Sequence, residues 1–360
     1  MQYAPSPSDR VRDWSIGENL DRIITVDPRG DGICRAIYDA ARTIEKQPLT
    51  LAAATTIATN VTPGDAVLML TGFLIPPSDV PETDGPIGSA VLARAIVLGL
   101  GGVPVFVGES QLRPIMDAAI RAAGLRIVDS LEQARAEPNT VVFLHFELDE
   151  PDPDARAAEL AQAIAPTLAI AIERPGANPQ GEYHFAGGLN VSASQAKVDS
   201  LLVKLLAQGV PAVAIGDFGN ELGMGAIADV VKIETSAGGS CGCGCGGGTA
   251  NEVSVTTTLA CSVSDWGAYA VSALLAHLTD LPNAFVDQAV YTRIAEQACL
   301  AGAIDGTSRL AVPAIDGVPA AYNTRLVGQI ADVVWMPSRS IYSASPMRSF
   351  RAERMGFVEA

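Results

Sequence analysis

The chain has 360 residues, 48% hydrophobic and 18% charged, which is ample material for one large or two ordinary domains and excludes disorder over most of its length. Its 24 basic side chains against 40 acidic ones leave a net charge of −16, which argues against nucleic acid or an anionic membrane as partner. No apolar run reaches the roughly 18 residues of a membrane span, residues 1–19 carry no apolar signal core, and six cysteines do not make a disulfide scaffold in a chain of this size; the expectation is a soluble, cytoplasmic protein.

Residues 1–15 are polar and rich in Pro and Ser and read as an arm laid on the surface or on a neighbouring subunit, which leaves room for a homo-oligomer. Over residues 31–45, Ile33, Ile37, Ala41 and Ile44 recur at helical spacing, and the alanine-rich run 49–57 reads as a second, buried helix. Residues 66–70 form an apolar run bounded by Pro63-Gly64-Asp65 turn chemistry, which predicts a fully buried strand. A proline-rich loop over 76–81 then delivers Glu82-Thr83-Asp84-Gly85-Pro86 to a helix ending at Gly99. Pro86 suits its first turn and Thr83 or Asp84 its cap.

Strand and helix patterns alternate from there: strand 103–107, helix 111–123, strand 125–128, strand 141–144, helix 154–165 and strand 167–172. This alternation predicts an α/β fold with a mostly parallel sheet and helices on both faces in Rossmann-like layers, the motif loops meeting at the carboxyl ends of the strands. Strand 167–172 ends in Glu173-Arg174-Pro175-Gly176, followed by a loop holding Tyr183, His184 and Asn190. After a helix over 194–208, the apolar run 212–215 enters Gly216-Asp217-Phe218-Gly219-Asn220-Glu221-Leu222-Gly223-Met224-Gly225. Glycine lets a ligand approach the backbone closely, and loops at such strand ends hold ligands in open α/β sheets.

Residues 238–248 are low in complexity, and Cys241, Cys243 and Cys245 occupy every second position. That spacing does not match CxxC zinc signatures and no histidine is near in sequence. The segment reads as a mobile flap dispensable for folding, or as part of a metal site completed by Cys261, Cys299 or a second subunit. Beyond it lie a strand over 253–263, a helix opening at Ser264-Asp265-Trp266, a helix over 284–301, a strand over 310–314 flanked by Asp305-Gly306 and Asp316-Gly317 turns, and a helix over 322–332. Asp-Gly is first a hairpin signal, so both aspartates read as structural. One domain is expected over 16–336, with two lobes not excluded, and an Arg-bearing tail over 337–360.

Taken together, Glu82-Thr83-Asp84-Gly85-Pro86, Glu173-Arg174-Pro175-Gly176, the ten residues from Gly216, Ser264-Asp265-Trp266-Gly267-Ala268-Tyr269 and Asp316-Gly317-Val318-Pro319 with Asn323-Thr324 resemble the D-glutamate cyclase family in kind and order. Phe218 stands where that family has glycine, and Asp265 where it has asparagine. The resemblance implies a hydro-lyase that closes D-glutamate, or a close analogue, to 5-oxo-D-proline with loss of water. Chemistry then assigns Asp217 and Glu221 as proton donor and base, with Asn220 and the loop amides stabilising the oxyanion. Arg174 would hold a substrate carboxylate bidentately, and Thr83, Asp84, Gly85, Gly219, Ser264 and Trp266 would line the substrate. So many acids around a dianionic amino-acid substrate call for a divalent cation, Mn²⁺ or Mg²⁺, on Glu82, Asp84 or Glu221. No nucleotide cofactor is expected. Two other readings fit the same residues: a lactam hydrolase running the opposite way, and a metal-binding module using Cys241, Cys243 and Cys245.

Overall fold

A computed structural model describes residues 5–338 and 345–357. Three helices, α1 (Pro7–Ile24), α2 (Ile33–Glu45) and α3 (Leu49–Asn60), precede β1 (Ala66–Thr71). The short hairpin β2 (Leu74–Ile75) and β3 (Val80–Pro81) leads into α4 (Pro86–Ala95), which continues as a wider turn over Ile96–Leu100. Then follow β4 (Val103–Gly108), α5 (Arg113–Ala122), β5 (Arg126–Val128), α6 (Leu131–Ala136), β6 (Thr140–His145), α7 (Pro153–Ile164) and β7 (Leu168–Ile172). The second half supplies α8 (Asp199–Ala207), β8 (Ala212–Gly216), α9 (Ala228–Glu234), β9 (Thr257–Ala260), α10 (Ser264–Leu278), α11 (Gln288–Leu300), α12 (Ala320–Trp335) and α13 (Met347–Arg354).

The main sheet has seven strands in the order β5-β6-β4-β1-β7-β8-β9, and every neighbouring pair is parallel. A parallel sheet needs covering on both faces, and the two-residue period of the strands divides the core accordingly. Val67 and Met69 of β1 and Leu168, Ile170 and Ile172 of β7 face the larger helical layer, which includes α1, α3, α4, α10 and α12. Leu68 and Leu70, with Ala169 and Ala171, face the layer of α6, α7 and α8. The α/β sheet with helices on both faces is the one expected from the alternation of elements.

The chain leaves β1 toward β4 on one side and returns to pair β7 on the other, so the order of the sheet reverses at β1. At such a point successive loops diverge to opposite faces and leave a crevice at the carboxyl ends of the strands. The loops after β1, β7, β8 and β9 carry the Glu82, Glu173, Gly216 and Ser264 motifs to that end of the sheet. A cavity of about 470 Å³, lined by residues such as Gly64, Gly102, Arg135 and Asn139, lies at the opposite, amino ends of the strands and holds no such cluster.

Two expectations change at the ends of the chain. Most of the stretch read as an N-terminal arm is helix: Ser6 caps α1 by accepting from the Asp9 amide, Pro7 opens it, and Val11 and Asp13 are buried. Asp13 Oδ1 meets His277 Nε2 of α10 at 2.9 Å. Of the tail, α13 packs against α1, with Trp14 and Phe357 rings 6.2 Å apart. Residues 310–314 form no strand, since Leu310 and Val312 are exposed and find no core to alternate against. Among the described residues no helix is long and apolar enough to cross a membrane.

Removing residues 1–15 should therefore destabilise the fold. Losing the buried Val11 and Asp13 contacts costs on the order of 3 kcal/mol, or about 4 °C for a chain this long. Thermal unfolding of the truncated protein checks this; a surface arm would leave the midpoint unchanged.

Candidate active site

The crevice is a pocket of carboxyl groups. Glu82, Asp84, Glu173, Asp217 and Glu221 are all buried, at most 7% exposed. Asp316, 18% exposed, and Arg29, 20% exposed, stand at its edge. Carboxylate oxygens of Asp84, Asp217 and Asp316 lie within 4.8 Å of one another, as do those of Glu173, Asp217 and Glu221.

Local sequence explains how each acid is held. Asp84, expected to cap its own helix, caps α10 instead, its oxygens accepting from the Ser264 and Asp265 amides at 3.1 and 2.8 Å. Asp265 returns the favour to α4, accepting from Gly85 and Gly88 amides at 2.9 and 2.7 Å. Each helix thus receives a carboxylate at its positive end from a residue at the start of the other. Gly85, at φ 93°, permits this: a Cβ there would stand 2.7 Å from Thr71 Oγ1 and 2.9 Å from Glu173 Cβ.

Glu173 follows β7 with φ 44°, a left-handed conformation uncommon outside glycine, and its Oε2 accepts from Ser264 Oγ at 2.5 Å. The loops after β7 and β8 are stitched together by Leu222 N to Arg174 O, 2.7 Å, and Gly176 N to Asn220 O, 2.9 Å. Within the second loop, Glu221 accepts from the Asp217 and Phe218 amides through Oε1 and from the Gly219 amide through Oε2 at 2.7 Å. Gly219, at φ 88°, turns the chain to make this possible, and a Cβ there would collide with Val231.

Among the described residues, the cation bonded to this cluster is Arg29, from the turn between α1 and α2. Asp27 folds that turn by accepting from the amides of Arg29, Gly30 and Gly32. Arg29 Nη1 then reaches Asp217 at 2.9 Å and Asp316 at 3.2 Å, with its guanidinium 4.1 Å above the Phe218 ring. Its Nε faces Asp31 Oδ2 at 3.6 Å, an ion pair longer than a hydrogen bond, while Nη2 has no hydrogen-bond partner, nor does Asn220 Oδ1. These unsatisfied atoms are the ones a carboxylate and an ammonium group would engage.

Burial dominates the acidities. It raises Glu82, Asp84 and Glu173 well above the usual carboxyl range, with neighbouring carboxylates adding to the effect. Glu221 is pushed up to about 8 by burial and then by Asp217, against the opposing pull of its backbone donors. Asp265 is pushed up to about 7 by burial.

Several expected roles are reassigned. Arg174 is fully buried and gives both ends of its guanidinium to Glu109, at 2.6 and 2.7 Å, with further bonds to the Gly72 and Ala196 carbonyls. It has no fork left for a substrate carboxylate; it ties β1, β4 and β7 loops together. Trp266 is fully buried, its indole donating to Asn323 Oδ1 at 2.9 Å and stacking on Tyr322, so it belongs to the core. Thr83 Oγ1 donates to the Ala314 carbonyl at 2.7 Å, holding the Asp316 loop in place. Asn220 Nδ2 is committed to the His184 carbonyl at 3.1 Å, and the Asp217, Phe218 and Gly219 amides are committed to Glu221, so none of these is a free oxyanion donor. The cation trio Glu82, Asp84 and Glu221 divides: Asp84 joins Asp217 and Asp316, Glu221 joins Glu173 and Asp217, and Glu82 belongs to neither group.

Sequence reasoning missed Arg29, Glu109 and the inward-facing Asp316. Arg29 and Asp217 lie 188 positions apart, and nothing local to either announces the other. Asp305 does keep the turn role expected of it, accepting from the Ser308 and Gly317 amides. The thiols gain an unforeseen neighbour: His184 lies against Cys241, Cys243 and Cys245, and the Asn178 amide holds the Gly248 carbonyl at 2.7 Å, so segment 238–248 is docked on the loop after β7.

The family model described as D-glutamate cyclase-like, C-terminal, matches residues 20–331, and the chain belongs to that family. It is 27% identical over 224 residues to the human protein named D-glutamate cyclase, mitochondrial; the match covers 58% of this chain and 32% of that one. The chain thus spans about a third of that relative's length.

Two outcomes follow from the buried charges. Arg174→Ala strands Glu109 without its partner and should cost about 3–5 kcal/mol, seen as a lowered denaturation midpoint; a ligand-binding arginine would be lost at little cost. For Glu221, the folded protein keeps a proton that the unfolded chain, with a pKa of about 4.3, has released. Its contribution to stability is therefore full below about pH 4 and is lost as pH rises through about 8. Thermal midpoints measured from pH 5 to pH 8 should fall more steeply in the wild type than in Glu221→Gln.

Proposed function

We propose that this chain is an enzyme that cyclises a glutamate-like amino acid, joining its α-amine to its γ-carboxyl carbon with release of water. The observation that carries the reading is the convergence, at the sheet's reversal point, of buried carboxyl groups with Arg29, whose Nη2 is left without a hydrogen-bond partner. Family membership and the name of the human relative support the cyclase chemistry and favour D-glutamate, with 5-oxo-D-proline as product.

The substrate presents two carboxylates and an ammonium group. Arg29 offers Nη2, and Nε in exchange for its long contact with Asp31, to one carboxylate while remaining bonded to Asp217 and Asp316 through Nη1. Asn220 Oδ1 and the carboxylates of Asp217 and Glu173 accept from the ammonium. Asp217 takes the proton that frees the amine lone pair. The amine then attacks the γ-carbon, a C–N bond forms, and Arg29 meets the charge gathering on oxygen. Glu221, protonated near neutral pH, gives the departing oxygen one proton and takes up the one the nitrogen loses as the amide forms; Asp217 returns the proton it took, and the C–O bond breaks to release water. This exchanges the donor and base roles assigned from the sequence, because Glu221 is the more completely enclosed of the two by its own loop. Folding the substrate so that its two ends meet supplies much of the acceleration.

The carboxylate groupings also suit a divalent cation. Asp84, Asp217 and Asp316 would hold it, as hard oxygen donors suited to Mg²⁺ or Mn²⁺, and it would offset the charge of a dianionic substrate.

The test is incubation of the purified chain with D-glutamate, L-glutamate and 5-oxoproline, with and without Mg²⁺ or Mn²⁺, followed by mass spectrometry. Loss of one water from D-glutamate is expected. Asp217→Asn and Glu221→Gln should each lower turnover about 10²-fold or more while the protein stays folded. Ring opening without closure would favour the hydrolase, and no conversion in either direction would overturn the cyclase assignment.

A further inference from the structure

The proposed chemistry makes no use of the cysteine segment. Cys241 Sγ lies 3.1 Å from Cys243 Sγ and 3.2 Å from Cys245 Sγ. His184 Nε2 approaches Cys243 Sγ to 3.2 Å and Cys245 Sγ to 3.9 Å. In an extended strand, alternate residues would place these sulfurs roughly 6.5 Å apart in a row. Here Gly244 and Gly246, at φ 88° and 78°, coil the segment so that three thiols face one point. His184 reaches the same point from the loop after β7, where it is 1% exposed and bridged to Asn190.

We propose that His184, Cys241, Cys243 and Cys245 bind one zinc ion in a closed structural site that fastens segment 238–248 to the loop after β7. Donors about 2.3 Å (sulfur) and 2.0–2.1 Å (nitrogen) from a tetrahedral zinc stand about 3.4–3.8 Å from one another. The observed separations bracket that range. Thiolate and imidazole are donors for zinc rather than for Mg²⁺ or Mn²⁺, which distinguishes this site from the carboxylate pocket. Four protein donors leave no open position, the mark of a structural ion. N–H groups already point at the sulfurs: Asn178 Nδ2 and the Gly247 amide each stand 3.4 Å from Cys245 Sγ, and Asn190 Nδ2 3.9 Å from Cys243 Sγ. Such donors stabilise thiolate charge around a metal.

The site bears on the carboxylate pocket through one residue. The His184 carbonyl accepts from Asn220 Nδ2, so the ion would fix the loop against which Asn220 is oriented. The proposal stands independently of the cyclase reading, since its readouts are metal content and thiol reactivity.

The test uses the full chain, purified under reducing conditions, incubated with zinc chloride and washed free of unbound metal. Elemental analysis should give about one zinc per chain in the wild type, and a small fraction of that in Cys243→Ser and His184→Ala. Cys243 is exposed, so its serine variant is expected to fold. Cobalt in place of zinc should give the intense near-ultraviolet thiolate charge-transfer band. In the wild type, a chelator should speed alkylation of Cys243 and Cys245 several-fold. Zinc content near zero, content unchanged by Cys243→Ser, alkylation indifferent to the chelator, or iron or copper taken up in place of zinc would each overturn the assignment.

Discussion

The crevice depends on a single electrostatic constraint, the cost of taking carboxyl groups out of water. An ionised carboxylate in a protein interior costs several kcal/mol unless partners replace its hydration. Most of the acids that the helices and loops bury here have such a partner. Asp84 and Asp265 exchange places at the ends of two helices, Glu221 gathers three amides of its own loop, Glu173 takes the Ser264 hydroxyl, and Asp217 takes Arg29. These partners do not neutralise the whole cluster, and burial raises the affinity of the rest for protons. A pocket built this way keeps both proton donors and acceptors near neutral pH, and it attracts cations. Both properties suit the proposed substrate, which would arrive with an ammonium group and lose a water.

The sheet makes the constraint local. Because its order reverses at β1, loops from four strands arrive at one place, and the helices that follow β9 and the β1 loop start there with their positive ends toward the acids. The Arg174–Glu109 pair beneath them is a structural brace rather than a ligand contact. It links the loops after β1, β4 and β7 by a bidentate ion pair that only folded geometry brings together. Phe218 supplies the face on which Arg29 rests.

Two donor chemistries meet along the wall of the crevice without mixing. The carboxylates are hard oxygen donors at the strand ends. The thiols and His184 are softer donors on the outer loop, and Asn220, bonded to the His184 carbonyl, stands between them. The glycines that make segment 238–248 look featureless are the reason it can coil three sulfurs onto one histidine.

By itself the sequence determined the periodic and local features. Strand runs such as 66–70, 167–172 and 212–215 were legible because a strand buried on both faces is continuously apolar, and their alternation with helices determined the parallel α/β sheet. The motif loops were legible as loops because glycine, proline and acidic residues cluster at their ends. Tertiary structure alone decided which side chains in those loops are free. Arg174 and Arg29 look alike in sequence, yet one gives both its Nη groups to Glu109, while the other reaches Asp217 through Nη1 and keeps Nη2 without a partner. His184 and Cys243 lie 59 positions apart, and Arg29 and Asp217 lie 188 apart. Hydrogen bonds and ion pairs at such separations depend on distances of about 3 Å set by the packing of the whole fold, and no window along the chain contains them.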